Sequence, residues 1–179
     1  KEHEAAERQR LADGKPWRFA VNGRHVFLRG ANWVPPDVLP GRATAADYRA
    51  LLVMARQAGI NFLRVWGGGL REKRAFWDEC DRLGILAWQE FPLACAFLDH
   101  YPRDDAYLSA LEQEARGAVR LLRNHPSLLA WCGGNEINPT REARPLSVLA
   151  AAVAEEDGQR PWIPASPMVH EGDAHDWTV

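Results

Sequence analysis

No stretch of this 179-residue chain is apolar for long enough to cross a bilayer, a task that takes about 20 consecutive apolar residues as a helix. The opening Lys1-Glu2-His3-Glu4 is polar and offers no signal-peptide core. An excess of either charge is also missing. Lysine and arginine number 22 against 24 acids, a net charge of −2, so composition gives no case for a nucleic acid or an anionic membrane as partner. Cysteine is scarce. Cys80, Cys95 and Cys132 are odd in number, widely spaced and each set among apolar residues. That pattern favours buried free thiols over a disulfide framework or a zinc site and leans weakly toward a reducing, cytoplasmic compartment. A phosphate loop is absent too. Gly67-Gly68-Gly69 follows a strand but lacks both the Gly-x-Gly-x-x-Gly spacing and a Lys-Ser/Thr ending, so no nucleotide cofactor is expected.

What is present is ordinary soluble-domain composition, 46% hydrophobic and 26% charged, with an unusual eight tryptophans. Residues 1–16 form a charged extension ending in the turn cluster Asp13-Gly14-Lys15-Pro16. Residues 17–179 read as one domain. Asn22-Gly23 between Phe19-Ala20-Val21 and His25-Val26-Phe27-Leu28 predicts a hairpin, because both turn residues tolerate positive φ.

Helices and strands then alternate. Thr44 with Asp47 predicts a capped helix whose inner face is Tyr48, Leu51, Leu52 and Ala55, stopped by Gly59. Strand Ile60–Trp66 follows, then a helix from about Glu72 to Leu83 ending at Gly84, and the strand Ile85–Trp88. A longer helix over about Asp105 to Arg123 precedes the strand Leu128–Cys132, and a last helix through Leu146, Leu149, Ala150 and Val153 precedes Trp162-Ile163. This alternation predicts an α/β fold with a parallel sheet. Polar and aromatic residues gather just after the strands: Asn32 and Trp33, Trp66, Glu90, Asn135 and Glu136. An eight-stranded (β/α) barrel with its site at the carboxyl face requires that distribution.

Four ordered segments resemble glycoside hydrolase family 2, and within it the β-mannosidase-like branch. They are Phe19-x-Val21-Asn22-Gly23 through Arg29-Gly30-Ala31-Asn32-Trp33-Val34-Pro35; Gly59-Ile60-Asn61-x-Leu63-Arg64-Val65-Trp66-Gly67-Gly68-Gly69; Asp81-x-x-Gly84-Ile85-Leu86-x-Trp88-Gln89; and Arg123-Asn124-His125-Pro126-Ser127 through Trp131-Cys132-Gly133-Gly134-Asn135-Glu136. The resemblance implies a TIM barrel and retaining hydrolysis of a terminal β-D-mannoside by two glutamates. Glu136 would be the general acid/base, and Asn135 would contact the sugar 2-hydroxyl. Arg64 looks like the family arginine that holds the nucleophile ionised; inside an apolar strand it also needs an acidic partner. Trp66 and Trp33 would wall the sugar pocket, and Glu90 would bind a hydroxyl. His175 and Trp177, in a segment similar to the family's sixth strand, would line the pocket. A metal site at His170, Asp173, His175 and Asp176 has suitable donors but no recognised ligand spacing; no metal or cofactor is expected.

The family nucleophile, a glutamate after the seventh strand, has no counterpart segment in this chain. The expectation is therefore an incomplete barrel of about the first six strands. The remaining strands and β-sandwich domains of the parent would be its partners, and the chain alone would be inactive. Other family 2 specificities (β-galactosidase, β-glucuronidase, exo-glucosaminidase) and a non-catalytic carbohydrate-binding remnant stand as alternatives. Asn32-Trp33 and Trp66-Gly67-Gly68-Gly69 favour mannose.

Overall fold

The computed structural model describes residues 19–96 and 100–167. Strands β1 (Phe19–Val21) and β2 (Arg24–Val26) form the expected antiparallel hairpin, with Asn22 and Gly23 both at positive φ. Five further strands make one parallel sheet in sequence order: β3 (Gly30–Trp33), β4 (Phe62–Val65), β5 (Leu86–Glu90), β6 (Leu128–Cys132) and β7 (Trp162–Ile163). Helices α1 (Ala45–Gln57), α2 (Arg74–Leu83), α3 (Asp105–Leu122) and α4 (Ala143–Glu156) supply the four crossovers. Sequential parallel strands joined by helices are the running unit of a (β/α) barrel. The segment expected to hold a sixth strand lies outside the described residues. Among the described residues, no helix is long and apolar enough to cross a membrane.

Local chemistry explains the boundaries. Thr44 accepts from the Asp47 N–H while the Asp47 carboxylate accepts from the Thr44 N–H, the reciprocal box that starts α1. Gly84, left-handed at φ 66°, ends α2 and turns the chain into β5. Of the inner face foreseen for α1, Tyr48 and Leu52 are buried, whereas Leu51 is exposed to solvent. Helices α3 and α4 pack side by side and share a charged seam. Glu156 accepts from Arg116, Arg120 and Arg123, and the Arg120 and Arg116 hydrogen bonds hold its carboxyl at a pKa of about 2.

Strand alternation sorts side chains to the two faces of the sheet. Asn32, Arg64 and Trp88 stand in one row across β3, β4 and β5; Trp33, Val65 and Gln89 stand in the next. The second row faces the helices and joins the main core with Tyr48, Phe76, Trp77 and Trp131. A bulge between Ala87 and Trp88 adjusts β6 so that Ala130 lies opposite Trp88 and Cys132 opposite Glu90. Ala130, Cys132 and Ile163, with Trp88, form a smaller inner cluster, against which Phe19 of the hairpin packs.

Candidate functional site

Arg64, on β4, is the hub of the inner face at the carboxyl ends of the strands. Its Nε donates to Glu90 Oε1 at 2.7 Å, Nη1 to Asn32 Oδ1 at 3.1 Å and Nη2 to Asn135 Oδ1 at 2.5 Å. One guanidinium thereby ties the ends of β3 and β5 to the segment after β6, using the fixed fork that distinguishes arginine from lysine. The acidic partner that an arginine inside a strand requires is Glu90, whose side chain has no exposed surface. Burial pushes the Glu90 carboxyl up, against the pull of Arg64 and of the Gly67 N–H, which donates to Oε2 at 2.8 Å.

Beyond β6 the backbone continues to pair without forming a named strand. Asn135 N–H donates to Leu93 carbonyl at 2.8 Å, Cys95 N–H to Asn135 carbonyl at 2.9 Å, and Glu136 N–H to Ser166 carbonyl at 2.7 Å. The two glycines that precede the pair are there for clearance. A Cβ on Gly133 would sit 2.2 Å from the Pro164 carbonyl oxygen, and one on Gly134 would sit 2.3 Å from that of Leu93. Glu136 leaves this seam at φ 49°, a conformation uncommon for a residue with a side chain. Asn135 is buried, and its amide is oriented on both sides. Arginine only donates, so Oδ1 faces Arg64, and Nδ2 faces the thiol of Cys95 at 3.2 Å.

Cys95 was not foreseen as part of the site. Its thiol stands beside Asn135 and donates to Glu136 Oε2 at 3.6 Å, so the apolar setting expected for all three cysteines holds for Cys80 and Cys132 alone. The signal was weak in sequence because Cys95 sits in a loop at φ 57°, where no periodicity assigns a face. Tyr101 fixes that loop: its hydroxyl accepts from Ala94 N–H at 2.6 Å and donates to the Ala94 carbonyl at 3.0 Å. Arg141 donates to the Ala96 carbonyl from the other side.

Two sequence assignments need correction. Trp33 does not wall the site. It follows Asn32 in a strand, so the two point to opposite faces; its ring packs against Phe76 and Tyr48, and Nε1 donates to buried Glu72 at 2.9 Å. Glu90 does not bind a hydroxyl, because it is enclosed and both its oxygens are engaged by Arg64 and Gly67. Trp66 lies two residues beyond Arg64, half-buried, with its indole over Gly68, where a Cβ would come within 2.0 Å of the ring. His175, Trp177 and the alternative ligands His170, Asp173 and Asp176 lie outside the described residues.

Among the described residues one group has metal-compatible donors close together: Asp78, Asp81 and His125. Asp81 already spends one oxygen on His125 Nδ1 at 2.6 Å and the other on Ser127 N–H at 2.9 Å, which makes the group a hydrogen-bonded clamp beneath β6. A cleft of about 410 Å³ runs beside it, lined by Val21, Val26, Leu86 and Pro126 among others. It lies at the amino ends of the strands, opposite the Arg64 cluster, and its polar lining is Arg56, Asn61, Asp81 and Ser127.

Residues 13–168 match the family model described as glycosyl hydrolases family 2, TIM barrel domain. A β-mannosidase of Bos taurus is 43% identical over 123 residues, covering 69% of this chain and 14% of its own length. The crystal structure of a β-D-mannosidase from Dictyoglomus thermophilum superposes with a TM-score of 0.82 at 38% identity, over 93% of this chain and 23% of that one. A β-glucuronidase of Parabacteroides merdae, with a TM-score of 0.72 over 88% of this chain and 20% of its own, is 23% identical and shares the fold. The chain thus spans roughly a seventh to a quarter of the length of the relatives it matches. Strand order, the arginine hub and these matches together place the chain in glycosyl hydrolases family 2, as part of its TIM barrel domain.

Proposed function

We propose that this chain carries the acid/base half of a retaining β-mannosidase site, acting on a terminal β-D-mannoside. Glu136 is the general acid/base: it protonates the departing glycosidic oxygen and then takes a proton from the incoming water. Asn135 is oriented by Arg64 and Cys95 so that it presents an N–H, and it donates to the oxygen of the neighbouring ring hydroxyl. That bond strengthens as positive charge develops on the sugar. Trp66 offers an aromatic wall. The observation that carries this reading is the guanidinium of Arg64, which fixes the Asn135 amide beside Glu136 at the carboxyl end of a parallel sheet.

A retaining mechanism needs a second carboxylate about 5 Å from the acid/base. Glu90 is unsuited to attack because it is fully enclosed and paired. The family resemblance implies a nucleophile glutamate after the seventh strand of a completed barrel, which Arg64 would also face, and without it the segment is expected not to turn over substrate. His175 and Trp177 are proposed to line the same pocket. The β-mannosidases at 43% and 38% identity support mannose over the sugars of other family members.

The test is a chimera in which residues 19–167 replace the matching segment of the Dictyoglomus thermophilum enzyme. It should hydrolyse an aryl β-D-mannoside, and Glu136→Gln should reduce that rate by about 10²- to 10⁴-fold. A folded chimera whose activity ignores Glu136→Gln would defeat the reading.

A further inference from the structure

We propose that Cys95 is a positioning residue of this site: its thiol, seated between the Asn135 amide and the Glu136 carboxyl, links the two and holds Glu136 on the Asn135 side. The proposal rests on the acid/base reading of Glu136 and extends it to a residue outside the two-glutamate mechanism.

The geometry is specific. A thiol has one weak donor and a weakly accepting sulfur. Here the sulfur accepts from Asn135 Nδ2 at 3.2 Å and the S–H donates to Glu136 Oε2 at 3.6 Å, so both capacities are used in opposite senses. The placement is imposed by the surroundings. Cys95 is held at φ 57° with its N–H on the Asn135 carbonyl, while Tyr101 grips both backbone groups of Ala94 and Arg141 takes the Ala96 carbonyl. Glu136 is likewise held at φ 49° by Ser166. Two left-handed backbones facing each other aim these side chains together. Neither conformation is a glycine's to relax, so the strain has a use.

Among the described residues, the titratable groups acting on the thiol are Glu136, Glu90 and Tyr101. Burial raises the Cys95 pKa first; the Asn135 hydrogen bond lowers it, and the Glu136 hydrogen bond and the charges of Glu136 and Glu90 raise it. Cys95 therefore remains a thiol, able to donate, through the neutral range.

Alkylation of the 179-residue chain by iodoacetamide, followed against pH, tests this. Cys80 and Cys132 are fully buried, so the folded chain should label at Cys95, and Cys95→Ser should abolish that labelling. Glu136→Gln removes the negative charge and leaves only a neutral amide acceptor, so at pH 8 it should speed alkylation by about threefold or more, because thiolate forms more readily. Asn135→Asp replaces the donor to sulfur by a carboxylate and should slow it. Opposite responses from adjacent residues are what a merely structural contact would not give. A Cys95 rate indifferent to Glu136→Gln, or slowed by it, overturns the proposal. If Asn135→Asp unfolds the chain, seen as labelling of all three thiols, the Glu136→Gln comparison decides. The mannoside assay of the chimera can fail while the thiol response stands, and the reverse, so the two readings fall separately.

Discussion

Arg64 and Glu90 lie side by side on β4 and β5, Nε to Oε1 at 2.7 Å, with the carboxylate side chain fully enclosed and the guanidinium nearly so. Removing one partner leaves the other charge buried without compensation, which costs about 3–5 kcal/mol in such pairs. Glu90→Ala should therefore lower the unfolding free energy by about 3 kcal/mol or more. Chemical denaturation checks this. A loss under about 1 kcal/mol would show that solvent reaches the pair in solution.

Trp33 gives a sharper contrast. Trp33→Phe keeps the ring against Phe76 but strips one donor from buried Glu72 and leaves the Tyr48 hydroxyl at 2.5 Å. A cost of about 1–3 kcal/mol in stability follows, with sugar binding by the completed site unchanged. Trp66→Ala should do the reverse. Calorimetric binding of mannose-configured inhibitors to the chimera, beside unfolding curves, separates the two tryptophans.

Glycines 68 and 133 differ in what they protect. Gly68→Ala would drive a methyl into the Trp66 indole and so displace that ring, reducing inhibitor affinity while the core stays intact. Gly133→Ala presses on the Pro164 carbonyl just past β7 and on Leu146 of α4, and should cost about 1–3 kcal/mol of stability. Equal effects of the two on unfolding would contradict this division.

The Glu156 seam makes stability pH-dependent. Its carboxyl titrates at about 2 when folded, against 4.5 ordinarily, so as pH falls the unfolded chain takes up the proton first. The contribution is complete above the ordinary range and is lost as pH drops through the folded value. Glu156→Gln should flatten the fall in thermal midpoint between about pH 5 and pH 2 relative to the parent chain. Parallel curves for the two proteins would argue against the clamp.

Most of the barrel unit was legible, because caps, helix-ending glycines and apolar runs act locally: Thr44 with Asp47, Gly84 and the Asn22-Gly23 turn all behave as their chemistry dictates. Arg64's need for an acid was legible as well, but its partner here is Glu90, where the resemblance had implied the nucleophile glutamate. What sequence could not assign was facing. Asn32-Trp33 reads as one polar-aromatic motif, yet strand alternation sends the two side chains to opposite sides of the sheet. Leu51 fits a helical stripe but lies at its edge, exposed among the described residues. Cys95 was invisible because its role depends on a left-handed loop residue meeting one 41 positions away.

The grip of Tyr101 on Ala94 has a mechanical corollary. One phenol does there what a neighbouring strand would do, satisfying an amide and a carbonyl at once. Ala94, and Cys95 after it, are thereby anchored by a single side chain further along the same chain. Tyr101→Phe would free both backbone groups of Ala94 together, and with them the segment that carries Cys95.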